Sequence, residues 1–552
     1  MSTRVRMTDA GTHREVTVPA EAALLQARTP AAVKAALQAD VDVQSSEAER
    51  WSDATAVGDL DGDGLRDLVL QKGFSASRFV GVSGKDGSRL WSYTMDPAAE
   101  EGWSFGAATR LHGSDGGVLI DTVNYGDEQE TAATWSADMV RTFTALNKDG
   151  SVRWHKEYTG TITGSDVSIT IVGLPMVAGL APISGPGDDL AITTYDVVVT
   201  EAAAGAGAVE VIDGTTGVSR PVAVAGGVEI DDYPAAGVVG DLDGDRLADV
   251  VTVSSGAGEV RIAAHAGVDG HPLWHNTFDG VAVSWVEAAG NTDADDTEDL
   301  LMQGIDWERW DNPFQTSLVS GVDGATRWQA YSEIATGVGD IGGEGRDDIL
   351  MITMVDGRQW GVRYTALNGS GKRIYGVSHT VKSGHSMITM LSIGLDMVGD
   401  VDDDGTTDFA HIITASGFRP RFSERDRGPV LSATGRKAFE GSAAGSALGA
   451  SLDRHGVDFA TVRRAKNQAN ITTRRGITGA AIWQKSLRIR GFRWGFVRGG
   501  DITGDRRSEV IVIAQASNGS TVAVLDGGSG RVLWRRDTGN QDFSVTPVKA
   551  IR

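Results

Sequence analysis

Cysteine is absent from all 552 residues, which removes disulfides, thiolate metal sites and a cysteine nucleophile together and leaves the redox compartment open. No run of 18 apolar residues occurs, so no integral membrane helix is expected. The first residues, MSTRVRMTDAGTHREV, lack the apolar stretch of a signal peptide. Basic clusters are missing as well: the net charge is −23 and the pI is near 4.8, which argues against nucleic acid as a partner, because phosphate binding needs grouped Lys and Arg. No GxSxG, Walker loop or HExxH is present. His271 and His275 flank Trp274, but on a strand that spacing sets them about 13 Å apart. Aromatics are only 7% of the chain against 72 glycines, the balance of short strands joined by tight turns.

What the chain does contain is a repeat. From Trp51 onward an aspartate-rich loop followed by an apolar run recurs with starts at 59, 109, 181, 241, 291, 340, 400, 450 and 501. A turn glycine followed four residues later by an aromatic keeps the same count. It is found at Gly87 to Trp91, Gly150 to Trp154, Gly270 to Trp274, Gly324 to Trp328, Gly371 to Tyr375, Gly435 to Phe439, Gly479 to Trp483 and Gly530 to Trp534. Only the third unit, Gly217 to Pro221, lacks the aromatic. Between these landmarks each unit reads as four short strands; in the fourth they are AAGVVGD, ADVVTVSS, EVRIAAHA and HPLWHNTF.

Four strands per roughly 50 residues is the spacing of a propeller blade, and the 3.6-residue period of a helical solenoid is missing. The expectation is an all-β fold, a single large β-propeller of four-stranded blades over residues 51–552, with nine repeat units and seven to nine blades. The recurring aromatic is expected to wedge between blades. Residues 1–50 read as a short, partly helical N-terminal extension, Pro30 splitting the Ala- and Leu-rich Pro19 to Val41. Asp542 to Ile551 reads as a further strand able to close the ring beside Ser52 to Val57.

The first loop is GDLDGDGLRDLVL, residues 58–70. Asp59, Asp61, Asp63 and Asp67 stand at i, i+2, i+4 and i+8 and can aim hard oxygens at one point; Gly64 permits the bend and the Leu65 carbonyl adds a ligand. Calcium, which takes six to eight oxygens in flexible geometry, is the expected ion. The set recurs complete at Asp241, Asp243, Asp245 and Asp249 with the Leu247 carbonyl, and at Asp400, Asp402, Asp404 and Asp408 with Thr406. In the former, Arg246 stands where glycine is usual, which would strain the turn or place a competing cation near the loop, though no oxygen ligand is lost. Asn291, Asp293, Asp295 and Asp299, with Thr297, form a fourth candidate in which an amide oxygen replaces a carboxylate. Three to four calcium sites are therefore expected. The loops starting at 340 and 501 have lost ligands, and those at 109, 181 and 450 are read as unable to hold an ion.

GDLDGDGLRDLVL, GDLDGDRLADVVTV and GDVDDDGTTDFAHI resemble the FG-GAP (VCBS-type) repeats of integrin alpha-chain propellers and their bacterial relatives. The resemblance implies a calcium-holding loop between two strands of each competent blade. VLDGGSGRVLW, residues 524–534, is similar to the tryptophan-docking repeat of quinoprotein propellers.

In such a blade the loops joining the second and third strands emerge on the face opposite the aspartate loops. Extra residues fall there at Asn124 to Asp138, Gly304 to Gln315 and Ser416 to Pro429, carrying Trp135, Trp307 and Trp310 among other aromatics. These three are the candidate ligand-binding side chains, since aromatics on loops over a rigid scaffold suit recognition. No catalytic residue is singled out. The reading is a calcium-stabilised binding or adhesion scaffold, extracellular or at the cell surface, with a protein or polysaccharide partner and an oligomeric state the sequence leaves open. The alternative is a carbohydrate-active enzyme, a polysaccharide lyase or glycosidase, on the same fold. A quinoprotein-like oxidoreductase stands behind both.

Overall fold

The computed structural model describes residues 51–538 apart from connecting segments, the longer of which are 95–102, 199–206, 226–235, 306–313, 400–407 and 418–427. The expected N-terminal extension, residues 1–50, and the strand expected over Asp542 to Ile551 lie outside the described residues.

The described residues form an all-β structure without a helix, made of nine antiparallel sheets that follow one another along the chain. The first sheet is the pattern for the rest: β1 (Trp51–Ala56), β2 (Leu68–Lys72), β3 (Arg78–Val82) and β4 (Arg89–Thr94) pair in sequence order. Seven other sheets repeat this four-stranded meander. Short local connections make each sheet cheap to close entropically, while its two apolar faces need neighbours to cover them.

Those neighbours are the sheets before and after. Leu111, Phe143 and Trp154 of the second sheet share a core with Leu190, Ile192 and Ile212 of the third. Ring closure follows from the same packing: Leu68, Leu70, Val80 and Val82 of the first sheet are buried together with Ile511, Ile513, Val522 and Trp534 of the last. Among the described residues the β-propeller is thus closed by side chains, with β1 as the first strand of the first blade.

Among the described residues, the recurring tryptophan makes five of the junctions specific. Trp154, Trp274, Trp328, Trp483 and Trp534 donate Nε1–H to the carbonyls of Gly214, Gly321, Gly369, Gly527 and Gly84, each in the next sheet, at 2.9, 2.5, 3.2, 2.6 and 2.8 Å. Each indole also lies over the turn glycine of that next sheet, where a Cβ on Gly87 would sit 2.9 Å from the Trp534 ring and φ is 71°. The third unit, without an aromatic, uses Arg220 instead, whose guanidinium donates to the Gly267 carbonyl.

The second sheet departs from the pattern. It has seven strands: Thr134–Leu146 and Val152–Ser165 run 13 and 14 residues, and the far end of Val152–Ser165 pairs with Ile169–Val172, which in turn pairs with Val197–Val198 from the third unit. Gln129–Glu130 adds a short strand against Trp135 and Ser136.

Trp534→Phe, which deletes the closing donor, is expected to cost about 1–3 kcal/mol, and Trp274→Phe at an internal junction a similar amount; urea denaturation of both tests whether closure is built like the other junctions. Gly87→Ala, forced into a left-handed φ against the indole, is expected to lose about 2 kcal/mol or more in the same assay.

Candidate metal loops and the carboxylate lock

The aspartate loop is a backbone construction before it is an ion site. Asp59 Oδ1 accepts the N–H groups of Gly62 and Asp63 at 2.7 and 3.1 Å, and Oδ2 that of Gly64 at 2.9 Å. The bend places Gly62 and Gly64 at φ 81° and 85°, the left-handed region that glycine reaches without a Cβ clash. The fourth unit copies this bonding with Asp241, Gly244, Asp245 and Arg246. Arg246 does sit at φ 69°, as does Arg506 at 66° in the ninth unit, so the strain expected at that position is present.

The aspartate at i+8 has a separate duty. Asp67 is fully buried; Oδ2 accepts Leu60 N–H at 2.6 Å and Oδ1 accepts Gly84 N–H at 2.9 Å. Gly84 belongs to the turn between β3 and β4, so this carboxylate ties the two turns on one face of the blade. Asp249 and Asp299 hold Gly267 and Gly321 the same way. Asp189 does so for Gly214, in a unit read as unable to hold an ion. Asp458 accepts Leu452 N–H and Glu509 accepts Ile502 N–H, again in units with an incomplete ligand set.

The sequence reading missed the apolar residue seated in these loops. Ile502, Leu242 and Leu452, buried to within 8% of full burial, reach into the following sheet against Gly84, Gly321 and Gly527. Its signal was a hydrophobic residue beside otherwise charged loop positions, as at Leu60 and Leu242.

Among the described residues, two of the loops gather an acidic triad. Asp59, Asp61 and Asp67, and likewise Asp241, Asp243 and Asp249, each bring carboxylate oxygens within 4.8 Å of one another. Oxygens bound to one calcium at its usual distances lie no more than about 5 Å apart, so both triads fit that ion. When bound, calcium would supply charge compensation and cross-link the loop. Asp63 and Asp245 stand outside the triads; their Oδ1 atoms accept Leu65 and Leu247 N–H at 2.9 and 2.8 Å. Asp400, Asp402, Asp404 and Thr406 lie outside the described residues, and Asp408 opens the strand Asp408–Gly417.

The fifth-unit candidate differs. Its carboxylates face the Arg327 guanidinium, which pairs with Asp293 and lies 3.6 Å from Asp295 and 3.4 Å from Asp299. Thr297 N–H donates to Asp295 rather than leaving that oxygen free.

Burial raises the pKa of Asp67, Asp299 and Asp347, that of Asp249 and Asp348 to about 6, and that of Glu509 to about 7, against the opposing pull of the N–H groups each holds. Every one of these carboxyls bonds loop backbone: Asp347, for example, accepts Asn291 N–H at 2.8 Å from the neighbouring unit.

Of the candidate ligand-binding aromatics, Trp307 and Trp310 lie outside the described residues. Trp135 is corrected: it is only 6% exposed, on the extended strand Thr134–Leu146, because the insertion continues the second sheet instead of standing off it as a loop.

No family model matches this sequence, and no curated protein does. Solved structures similar to it include the rhamnogalacturonan lyase YesW (13% identity, TM-score 0.36, covering 91% of this chain and 98% of that one). The Bacillus licheniformis rhamnogalacturonan lyase PL11 is 16% identical at TM-score 0.38, over 84% and 70%. A quinohemoprotein alcohol dehydrogenase from Comamonas testosteroni is 10% identical at TM-score 0.30, over 62% and 66%. Likeness of this size assigns neither activity nor ligand.

Arg246→Gly is expected to raise stability by up to about 1 kcal/mol, read as a shift in the urea midpoint. Burial pushes the Glu509 carboxyl up from 4.5 to about 7, so the folded state keeps its proton to higher pH and the associated stability, full below about 4.5, is lost as pH rises through about 7. Glu509→Gln should lessen the fall in melting temperature between pH 5 and 7.5, by on the order of 2 kcal/mol in stability.

Proposed function

We propose that this chain is an FG-GAP-type, calcium-stabilised β-propeller of nine blades that serves as a binding scaffold, extracellular or at the cell surface. It recognises a protein or a polysaccharide through the face opposite the aspartate loops. One observation carries the reading: among the described residues, the carboxyls whose pKa burial raises all hold loop backbone on one face, so that face is committed to holding blades together. Perturbed carboxyls free of such duty would instead point to acid–base chemistry.

On the opposite face the material is of another kind. The second sheet grows there by Gln129–Glu130, Ile169–Val172 and Val197–Val198, and the insertions carrying Trp307 and Trp310 leave from the same ends of the second and third strands. Added strands and aromatic-bearing insertions on a rigid ring suit recognition. Among the described residues no helix is long and apolar enough to cross a membrane. The carbohydrate-active alternative needs an acid and a base within about 5–10 Å, and the perturbed carboxyls here are held by backbone amides instead.

Excess EDTA is expected to lower the melting temperature by several degrees and calcium to restore it; an unchanged curve removes calcium from the reading. Trp307→Ala with Trp310→Ala should reduce binding to a positive feature of a glycan or protein array at least tenfold while leaving the melting curve in place. New reducing ends or unsaturated sugars on incubation with polysaccharides would replace the scaffold by the enzyme.

A further inference from the structure

We infer that Arg327 is a built-in cation that occupies the ion position of the fifth aspartate loop, so that this loop is held shut without a metal. The inference rests on the calcium reading of the first and fourth loops, and it separates the loops that depend on metal from one that does not.

The contacts are specific. Arg327 sits in the last strand of its sheet, Thr326–Tyr331, three residues after the turn glycine Gly324. Its guanidinium reaches Asp293, Asp295 and Asp299, the i+2, i+4 and i+8 carboxylates of its own unit. Asp299 is fully buried and the Arg327 side chain only 23% exposed, so solvent and salt screen this cation weakly.

The same point of the repeat explains the difference between loops. Three residues after the turn glycine stand Leu90 in the first unit and Leu273 in the fourth. Both are aliphatic and packed on the blade core, and among the described residues those are the two loops whose acids gather as a triad. The fifth loop carries the guanidinium at that point, and its i position is Asn291, which lowers the charge to be balanced. In the second unit, where the aspartate loop has decayed, Arg153 again stands three residues after the turn glycine and donates to the Gly116 carbonyl of its own loop. In the first and fourth units the aliphatic side chain at this position leaves the ion position open and in the fifth the arginine fills it from inside the chain, whereas Arg220 at the same point of the third unit reaches Gly267 of the next blade instead.

The test is calcium stoichiometry of the full chain by titration calorimetry. Arg327→Leu, the residue of the first and fourth units, is expected to bind one more calcium per chain than the wild type. The gain should vanish in Arg327→Leu with Asp293→Asn, and Arg327→Lys, which keeps the charge, should show none. EDTA should destabilise Arg327→Leu more than the wild type, and calcium should rescue it. If the leucine variant does not fold even in calcium, Arg327→Gln carries the same stoichiometry test. Equal stoichiometry in the wild type and the neutral variant overturns the inference. Failure of the calcium reading looks different: Asp59→Asn and Asp241→Asn would leave wild-type binding unchanged, whatever Arg327→Leu gained.

Discussion

A single glycine peptide, shared between a buried carboxylate and an indole, joins one blade to the next, and most of the architecture depends on it. Gly84 gives its N–H to Asp67 within the blade and its carbonyl to Trp534 from the preceding one. The same relay runs through Asp189, Gly214 and Trp154, and through Asp299, Gly321 and Trp274. A buried carboxylate is tolerable only when its oxygens are bonded. The relay meets that condition and fixes the spacing of neighbouring sheets at once.

Variation around the relay follows the same constraint. Where the third unit has no tryptophan, the Arg220 guanidinium supplies the donor to Gly267. In the second unit the turn is one residue shorter, with Gly150 bonding back to Asn147, and the Trp91 Nε1–H facing it has no partner. Packing of the ring over Gly150 remains, and the Tyr93 hydroxyl lies 3.4 Å from the Thr144 hydroxyl across the same junction.

The lock holds its backbone partners without an ion, and under the proposed reading calcium would add to it. The i+8 acid persists in the third, eighth and ninth units, where other ligands have gone, because its amide partners would otherwise be stranded in the core. Under the proposed reading a cation would matter where further carboxylates converge on that acid, as at Asp59 with Asp61 and Asp241 with Asp243, since their mutual repulsion, softened by the exposure of Asp61 and Asp243, would be offset there. Lys85, 3.7 Å from Asp63, gives part of that compensation from the first blade's own turn.

The sequence by itself determined the repeat, the four-strand unit, the completeness of each ligand set and the interblade role of the aromatic. All of these are written within one unit of about 50 residues, where turn glycines and alternating apolar residues act locally. Only the tertiary structure decided that Asp67 and its counterparts are locks before they are ligands, that Trp135 is buried in an extended sheet, and that Arg327 stands among the acids of the fifth loop. Each of these depends on groups that meet only when a strand or turn late in the unit folds back over its beginning, or when the next blade closes over it. Spacing along the chain does not record which side chain then reaches the shared position first.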